Sequence, residues 1–115
     1  VKIIDDMNNS IVSILGTTYS IEFRSEDKDS KLNNFDGYID STIHKIVIRI
    51  IDREDDTVDD LEIHYKRVLR HEILHGFLLE SGLNSECDWH TEEMVDWFAL
   101  QADKIYRCFS NKYLI

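Results

Sequence analysis

The order of apolar and polar residues divides the chain into strands followed by helices. Ile11, Ile14 and Leu15 precede Gly16-Thr17-Thr18, and Tyr19, Ile21 and Phe23 follow it. This predicts two strands, 11–15 and 19–24, turned near Gly16. In the second, the apolar residues alternate with Ser20, Glu22 and Arg24, so one face is buried. Residues 25–34 are polar and charged and read as a loop. Gly37, Tyr38 and Ile39 place a short strand within 35–40, and Asp40-Ser41 suits a turn into the strongest strand, 42–51. There Lys45 and Arg49 lie on the opposite face from Ile46, Ile48 and Ile50. Residues 1–6 show no clear pattern.

Further on, the period becomes helical. Leu61, Tyr65, Val68, Leu69, Ile73, Phe77 and Leu78 predict an amphipathic helix over 58–80. The acidic stretch 52–60 leads into it, with Thr57 and Asp60 at capping-box spacing, and Gly82 ends it. After a connector, 83–90, a second helix is predicted over 91–109, capped by Asp88 or Thr91. Met94, Val95, Trp97, Phe98, Leu100, Ala102, Ile105, Tyr106 and Phe109 predict that it is mostly buried. Tyr113, Leu114 and Ile115 predict a tail that docks. The fold expected is α+β, one domain over 1–115, with helices on one face of a small, mostly antiparallel sheet of three to four strands.

Composition narrows the function. The chain has 115 residues, 43% of them apolar, and a net charge of −10, which argues against a general grip on nucleic acid phosphates. No apolar run reaches membrane-spanning length, because His44, Lys45 and Arg49 interrupt the longest. No basic stretch followed by an apolar one opens the sequence, and the expected location is cytoplasmic. Cys87 and Cys108 are the only cysteines and are expected as reduced thiols.

The chemistry is concentrated in His71-Glu72-Ile73-Leu74-His75. Two histidines four apart on a helix point the same way, so their imidazoles can grip one metal ion. Glu72 can then reach a water bound to that ion as general base. A catalytic zinc usually has three protein ligands. Glu92 is the best third donor, near the start of a helix that follows a turn back, with Glu93 and His90 as alternatives. Asp96 shares a face with Glu92 and is placed to accept the spare ring N–H of a ligand histidine. His64 precedes His71 by seven residues, about 10 Å along the helix, too far to share the ion. A third histidine in the H-E-x-x-H-x-x-G-x-x-H pattern would need Gly and His where Leu78 and Ser81 stand.

The motif with its later Glu92-Glu93-Met94-Val95-Asp96-Trp97-Phe98-Ala99 resembles the gluzincin zinc metallopeptidases, including the ImmA/IrrE-type regulatory peptidases and small phage-encoded proteins. The resemblance runs from Gly37 to Gln101; Val95 stands where Ala is usual. It implies a zincin-like fold, Zn2+ held by His71, His75 and Glu92, Glu72 as the base, and Asp96 as the partner of His71. It also implies that strand 42–51 is the edge strand that pairs with an extended protein or peptide substrate. For the residue that stabilises the oxyanion, His90, Tyr65, Tyr106 and Arg70 remain open. Two further readings are a zinc-stabilised binding module without turnover, and a latent enzyme whose tail, Tyr113-Leu114-Ile115, enters the cleft.

Overall fold

The first hairpin turns on two residues rather than three. In the computed structural model, which describes residues 1–52 and 60–115, β1 (Ser10–Ile14) and β2 (Thr17–Arg24) pair antiparallel with Ile14 opposite Thr17. Leu15 and Gly16 form the turn, both at positive φ, 49° and 88°, as a type I′ hairpin requires. Pairing draws both threonines into β2, which leaves Leu15 in a left-handed conformation and exposed.

β3 (Gly37–Asp40) and β4 (Lys45–Arg49) complete a four-stranded sheet in the order β1-β2-β4-β3. The outer pairs are antiparallel, but β2 and β4 run parallel, so the sheet is mixed. β4 is shorter than the strand expected over 42–51. Thr42, Ile43 and His44 belong to the turn after β3, where the Asp40 carboxylate accepts from the Thr42 N–H and His44 takes a φ of 53°. Nor is β4 an edge: it lies between β2 and β3, and Ile46, Val47 and Ile48 are all fully buried. Burial of consecutive side chains means that both faces are covered, the mark of an interior strand. The edge is β3.

Residues 1–6, which showed no pattern, contribute to α1 (Lys2–Met7), whose Ile3 is buried. The Ile3 N–H donates to Glu62 Oε1 at 2.8 Å. Two 3-10 turns, Glu26–Lys28 and Ser30–Asn33, follow β2. They are tied to the sheet by Asp29, which accepts from the Tyr38 hydroxyl at 2.6 Å and from Arg24 at 2.9 Å.

α2 (Leu61–Glu80) lies on the sheet. Its Leu61, Tyr65, Val68 and Leu69 close the core over Ile14, Tyr19, Ile21, Phe23, Ile46 and Ile48. The Asp60 carboxylate caps it, accepting from the Ile63 N–H at 3.2 Å; the expected helix start at 58 and the Thr57 half of the capping box lie outside the described residues. Gly82 ends it at φ 83°, with the Leu83 N–H returning to the Leu78 carbonyl at 2.8 Å. Two glycines let α2 sit close to the sheet. A Cβ on Gly37 would come within 2.9 Å of the Val47 carbonyl oxygen and 3.1 Å of Val68; one on Gly76 would meet Ile14 Cδ1 at 2.7 Å.

α3 (Glu92–Asn111) is capped by Thr91, whose hydroxyl accepts from the Met94 N–H at 3.2 Å. It packs chiefly against α2, so only the stripe facing that helix, Val95 and Ala99, is buried. The expectation of a mostly buried helix fails at Trp97, Tyr106 and Phe109, all exposed. The tail does not dock: Tyr113 is 95% exposed, and Leu114 and Ile115 68% each. Instead the chain closes α3 with Tyr113 at φ 57° and the Leu114 N–H on the Phe109 carbonyl. Cys87 and Cys108 are free, and no described helix is long and apolar enough to cross a membrane.

Leu15 supplies a test of the hairpin. Left-handed backbone costs an ordinary L-residue about 1–2 kcal/mol, and Asn before Gly suits a type I′ turn. Leu15→Asn is expected to stabilise the protein by about 1 kcal/mol, read as a higher urea midpoint with an unchanged slope.

Candidate metal centre

Two turns of α2 and the first residue of α3 bring two imidazole nitrogens and a carboxylate to one point. His71 and His75, one helical turn apart, direct their Nε2 atoms to a separation of 3.1 Å. Glu92 reaches across from α3, with Oε2 2.8 Å from His71 Nε2 and Oε1 3.1 Å from His75 Nε2. The connector that turns the chain back after Gly82, and the cap at Thr91, set this position. Four-coordinate zinc with bonds of 2.0–2.1 Å spaces its donors about 3.3 Å apart. The separations here are within a few tenths of an ångström of that, and two imidazoles with a carboxylate are a donor set zinc accepts. His71, His75 and Glu92 thus fit a metal ion by geometry and by chemistry.

Around these three, the predicted residues sort clearly. Asp96 stands behind His71, its Oδ1 3.5 Å from Nδ1. Its other oxygen, Oδ2, is 3.2 Å from the Arg67 guanidinium. Arg67 is absent from the sequence reading, although its spacing of four before His71 was the available signal. His90 is not at the donor cluster. Its Nε2 lies 2.6 Å from His75 Nδ1, on the far side of that ring, and its own Nδ1 lies 2.6 Å from the Leu83 carbonyl oxygen. Glu93, about 100° further round α3, is exposed and takes no part in the cluster.

The charges are tuned by burial and by one another. Glu72 is 6% exposed, and burial, with the negative charge of Glu92 second, pushes its carboxyl up to about 8. Burial lowers the His75 imidazole below its usual range, which keeps it neutral, as a ligand must be. Burial opposes ionisation of Glu92, but the pull of His75 and His71 outweighs it and holds that carboxyl below the usual range.

The donors open onto a cleft of about 850 Å³ between α2, the start of α3 and the edge strand β3. Comparisons with protein-family models, curated proteins and solved structures find no match. The edge strand has a defined hydrogen-bonding parity. The Arg49 N–H donates to the Asp36 carbonyl at 2.8 Å, and Gly37 stands opposite Ile48. In an antiparallel pair, bonded and non-bonded residues alternate. The N–H and C=O groups of Gly37 and Ile39 therefore point away from β4, along the open edge.

None of the four residues considered for the oxyanion faces the donor cluster. The Tyr65 hydroxyl accepts from the Ile51 N–H at 2.9 Å, inside the core. Arg70 donates to the Ala99 carbonyl at 3.1 Å, bracing α2 against α3. Tyr106 lies far along α3, and His90 is behind His75. His64 does line the cleft, with its Nε2 buried and unpartnered. His44 sits in the β3–β4 turn against the Tyr19 ring.

Glu72 gives the metal-free protein a measurable pH dependence. Below its unfolded pKa, near 4.5, the carboxyl is protonated in both states and contributes nothing. From there to about 8 the unfolded chain releases its proton while the folded one keeps it, so stability falls as pH rises through that window. At about 1.4 kcal/mol per unit, the loss is on the order of 3 kcal/mol at pH 7. In chelator-treated protein, Glu72→Gln is expected to remove this slope, measured as the difference between wild-type and variant urea unfolding from pH 5 to 8.

Proposed function

We propose that this protein is a zinc-dependent metallopeptidase that acts on a protein or peptide. The observation that carries the reading is the meeting of His71, His75 and Glu92, with separations of 2.8–3.1 Å, next to the buried carboxyl of Glu72. The helix spacing, the turn-back to α3 and the donor chemistry support it independently of one another.

Zn2+ held by these three side chains supplies Lewis acidity, acidifying water and polarising a carbonyl. The chain's own residues do the rest. Glu72 takes a proton from the water that attacks the scissile carbonyl carbon and passes it to the departing amine nitrogen. A nearby divalent charge favours its carboxylate form, the form a base needs. Asp96 stands behind His71, and Arg67 on the other oxygen of Asp96 orients that carboxylate. The outward N–H and C=O groups of Gly37 and Ile39 suit an extended peptide laid along β3, with affinity from the main chain. This role passes from strand 42–51, which is interior, to β3.

A second reading is a zinc-stabilised module that binds a protein without cutting it. It is favoured by the outward or buried placement of Tyr65, Arg70, Tyr106 and His90, which leaves none of them at the donor cluster. The two readings part on turnover. The peptidase predicts that protein reconstituted with Zn2+ cleaves members of a mixed-sequence peptide library, followed by mass spectrometry. Glu72→Gln should retain the zinc and lose cleavage by about 10²–10⁴-fold. Retained cleavage in that variant would overturn the assignment of the base, and zinc binding without any cleavage would favour the binding module.

A further inference from the structure

His90 is the one histidine of the cleft region whose two ring nitrogens are both engaged within 2.6 Å, and neither engagement is with a nitrogen or oxygen that faces the metal position: one is with the Leu83 carbonyl, the other with Nδ1, the far side of the His75 ring. A carbonyl oxygen has no proton to give, so the Leu83 carbonyl accepts, and His90 Nδ1 carries the proton. In the neutral ring that leaves Nε2 bare, and a bare nitrogen can only accept. The proton in the 2.6 Å contact between the two rings therefore belongs to His75 Nδ1. His75 Nε2 is then bare in its turn, and it is the atom that faces His71 and Glu92. One backbone carbonyl thus fixes the tautomers of two histidines in series.

We infer that His90 is a positioning residue for the metal centre: through the chain Leu83 C=O, His90, His75, it holds His75 as the Nδ1–H tautomer with Nε2 free to bind the ion. The inference rests on the proposed metal centre but goes beyond it, since nothing in the H-E-x-x-H spacing requires a histidine here. The neutral histidine side chain free in water favours the opposite tautomer, with the proton on Nε2, so the wrong form must be suppressed before the ion arrives. His71 is served separately, by Asp96. The two ligands are thus oriented by different chemistries, a carboxylate for one and an imidazole for the other. The chain ties the Leu83–His90 connector to α2 at His75, and the connector in turn delivers Glu92. His90 also donates its backbone N–H to the Cys87 carbonyl at 3.0 Å, and the Asn84 side chain accepts from the Glu86 N–H, so the loop that carries it is itself hydrogen-bonded.

The test uses the full chain, Zn2+ alone and two variants. In metal-free wild type labelled with ¹⁵N-histidine, the ring resonances of His75 should report a proton on Nδ1. In His90→Ala that population should shift toward Nε2–H, and the zinc dissociation constant, from competition with a chromophoric chelator, should rise about 10–100-fold. His90→Gln, whose side-chain carbonyl can take the place of Nε2 as acceptor, should recover most of both effects. Unchanged zinc affinity in His90→Ala would overturn the inference, as would a loss that His90→Gln fails to recover. Should His90→Ala not fold, the wild-type spectrum and His90→Gln still decide: a His75 proton found on Nε2 overturns it. Wild-type protein that binds no zinc would remove the metal centre itself, an outcome distinct from the other three.

Discussion

Two imidazole nitrogens and a carboxylate within about 3 Å of one another are an arrangement a protein holds only against resistance. Each nitrogen that presents a lone pair to this point must carry its proton at the other end of the ring. The surroundings of the site follow from that requirement. Asp96, steadied by Arg67, stands behind His71, and His90, steadied by Leu83, stands behind His75. The same crowding explains the state of Glu72. It is buried on the sheet side of α2, and Glu92 adds a like charge nearby, so without a cation the folded state resists its ionisation. A cation between Glu92 and the two imidazoles would relieve that resistance.

The sheet sets where that site can open. With β4 in the interior and β3 outermost, one strand carries both a free hydrogen-bonding edge and a wall of the cleft. β3 and α2 approach closely because Gly37 and Gly76 lack side chains: a Cβ at Gly37 would press on the Val47 carbonyl and one at Gly76 on Ile14 and Ile39. Larger residues there would lift the helix from the strand and widen the gap between the histidines and the edge. The Asp29–Tyr38–Arg24 bonds on the opposite face brace the same strand from behind. Packing on one side of β3 and hydrogen bonding on the other thus fix the distance across which a chain lying in the cleft would meet the metal ligands.

What the sequence made legible was local. The spacing of His71 and His75, the Thr91 cap, the stop at Gly82 and the alternation in β2 each depend on a few neighbouring residues. All four stand in the structure. What it hid was relational. The parallel pairing of β2 with β4 leaves no trace in either strand, because the same alternation serves both senses. The apolar run from Ile46 to Ile48 did carry the sign of an interior strand, since consecutive buried residues need two covered faces, but the resemblance favoured an edge. α1 is too short for its period to show. The apolar residues of α3 suggest core, but burial requires a partner, and α2 covers only one stripe. By type and position His90 suits a ligand, an oxyanion donor or a connector residue equally. Its actual partners, Leu83 and His75, lie seven residues before it and fifteen before it, and no periodic pattern links them.

α3 connects stability to chemistry. Its grip on the described rest of the molecule is slight for a helix of 20 residues: two buried side chains, the Arg70 bond to the Ala99 carbonyl, the Arg67–Asp96 pair, and the approach of Glu92 and Asp96 to His71 and His75. All lie in its first half, the half that also carries Glu92. A helix held so lightly depends on tertiary contacts rather than on its own propensity. An ion bridging Glu92 to His71 and His75 would add a strong contact between α3 and α2 at the point where the two helices begin to run together. Ion binding and helix docking would then be one equilibrium, because whatever favours the docked helix raises the affinity for the ion, and the ion returns the effect. The weak packing of α3 is for this reason a property of the site as much as of the fold. It would leave Glu92 to be fixed by a bound ion, while the two histidines on α2 are set beforehand by the core beneath them and the partners behind them.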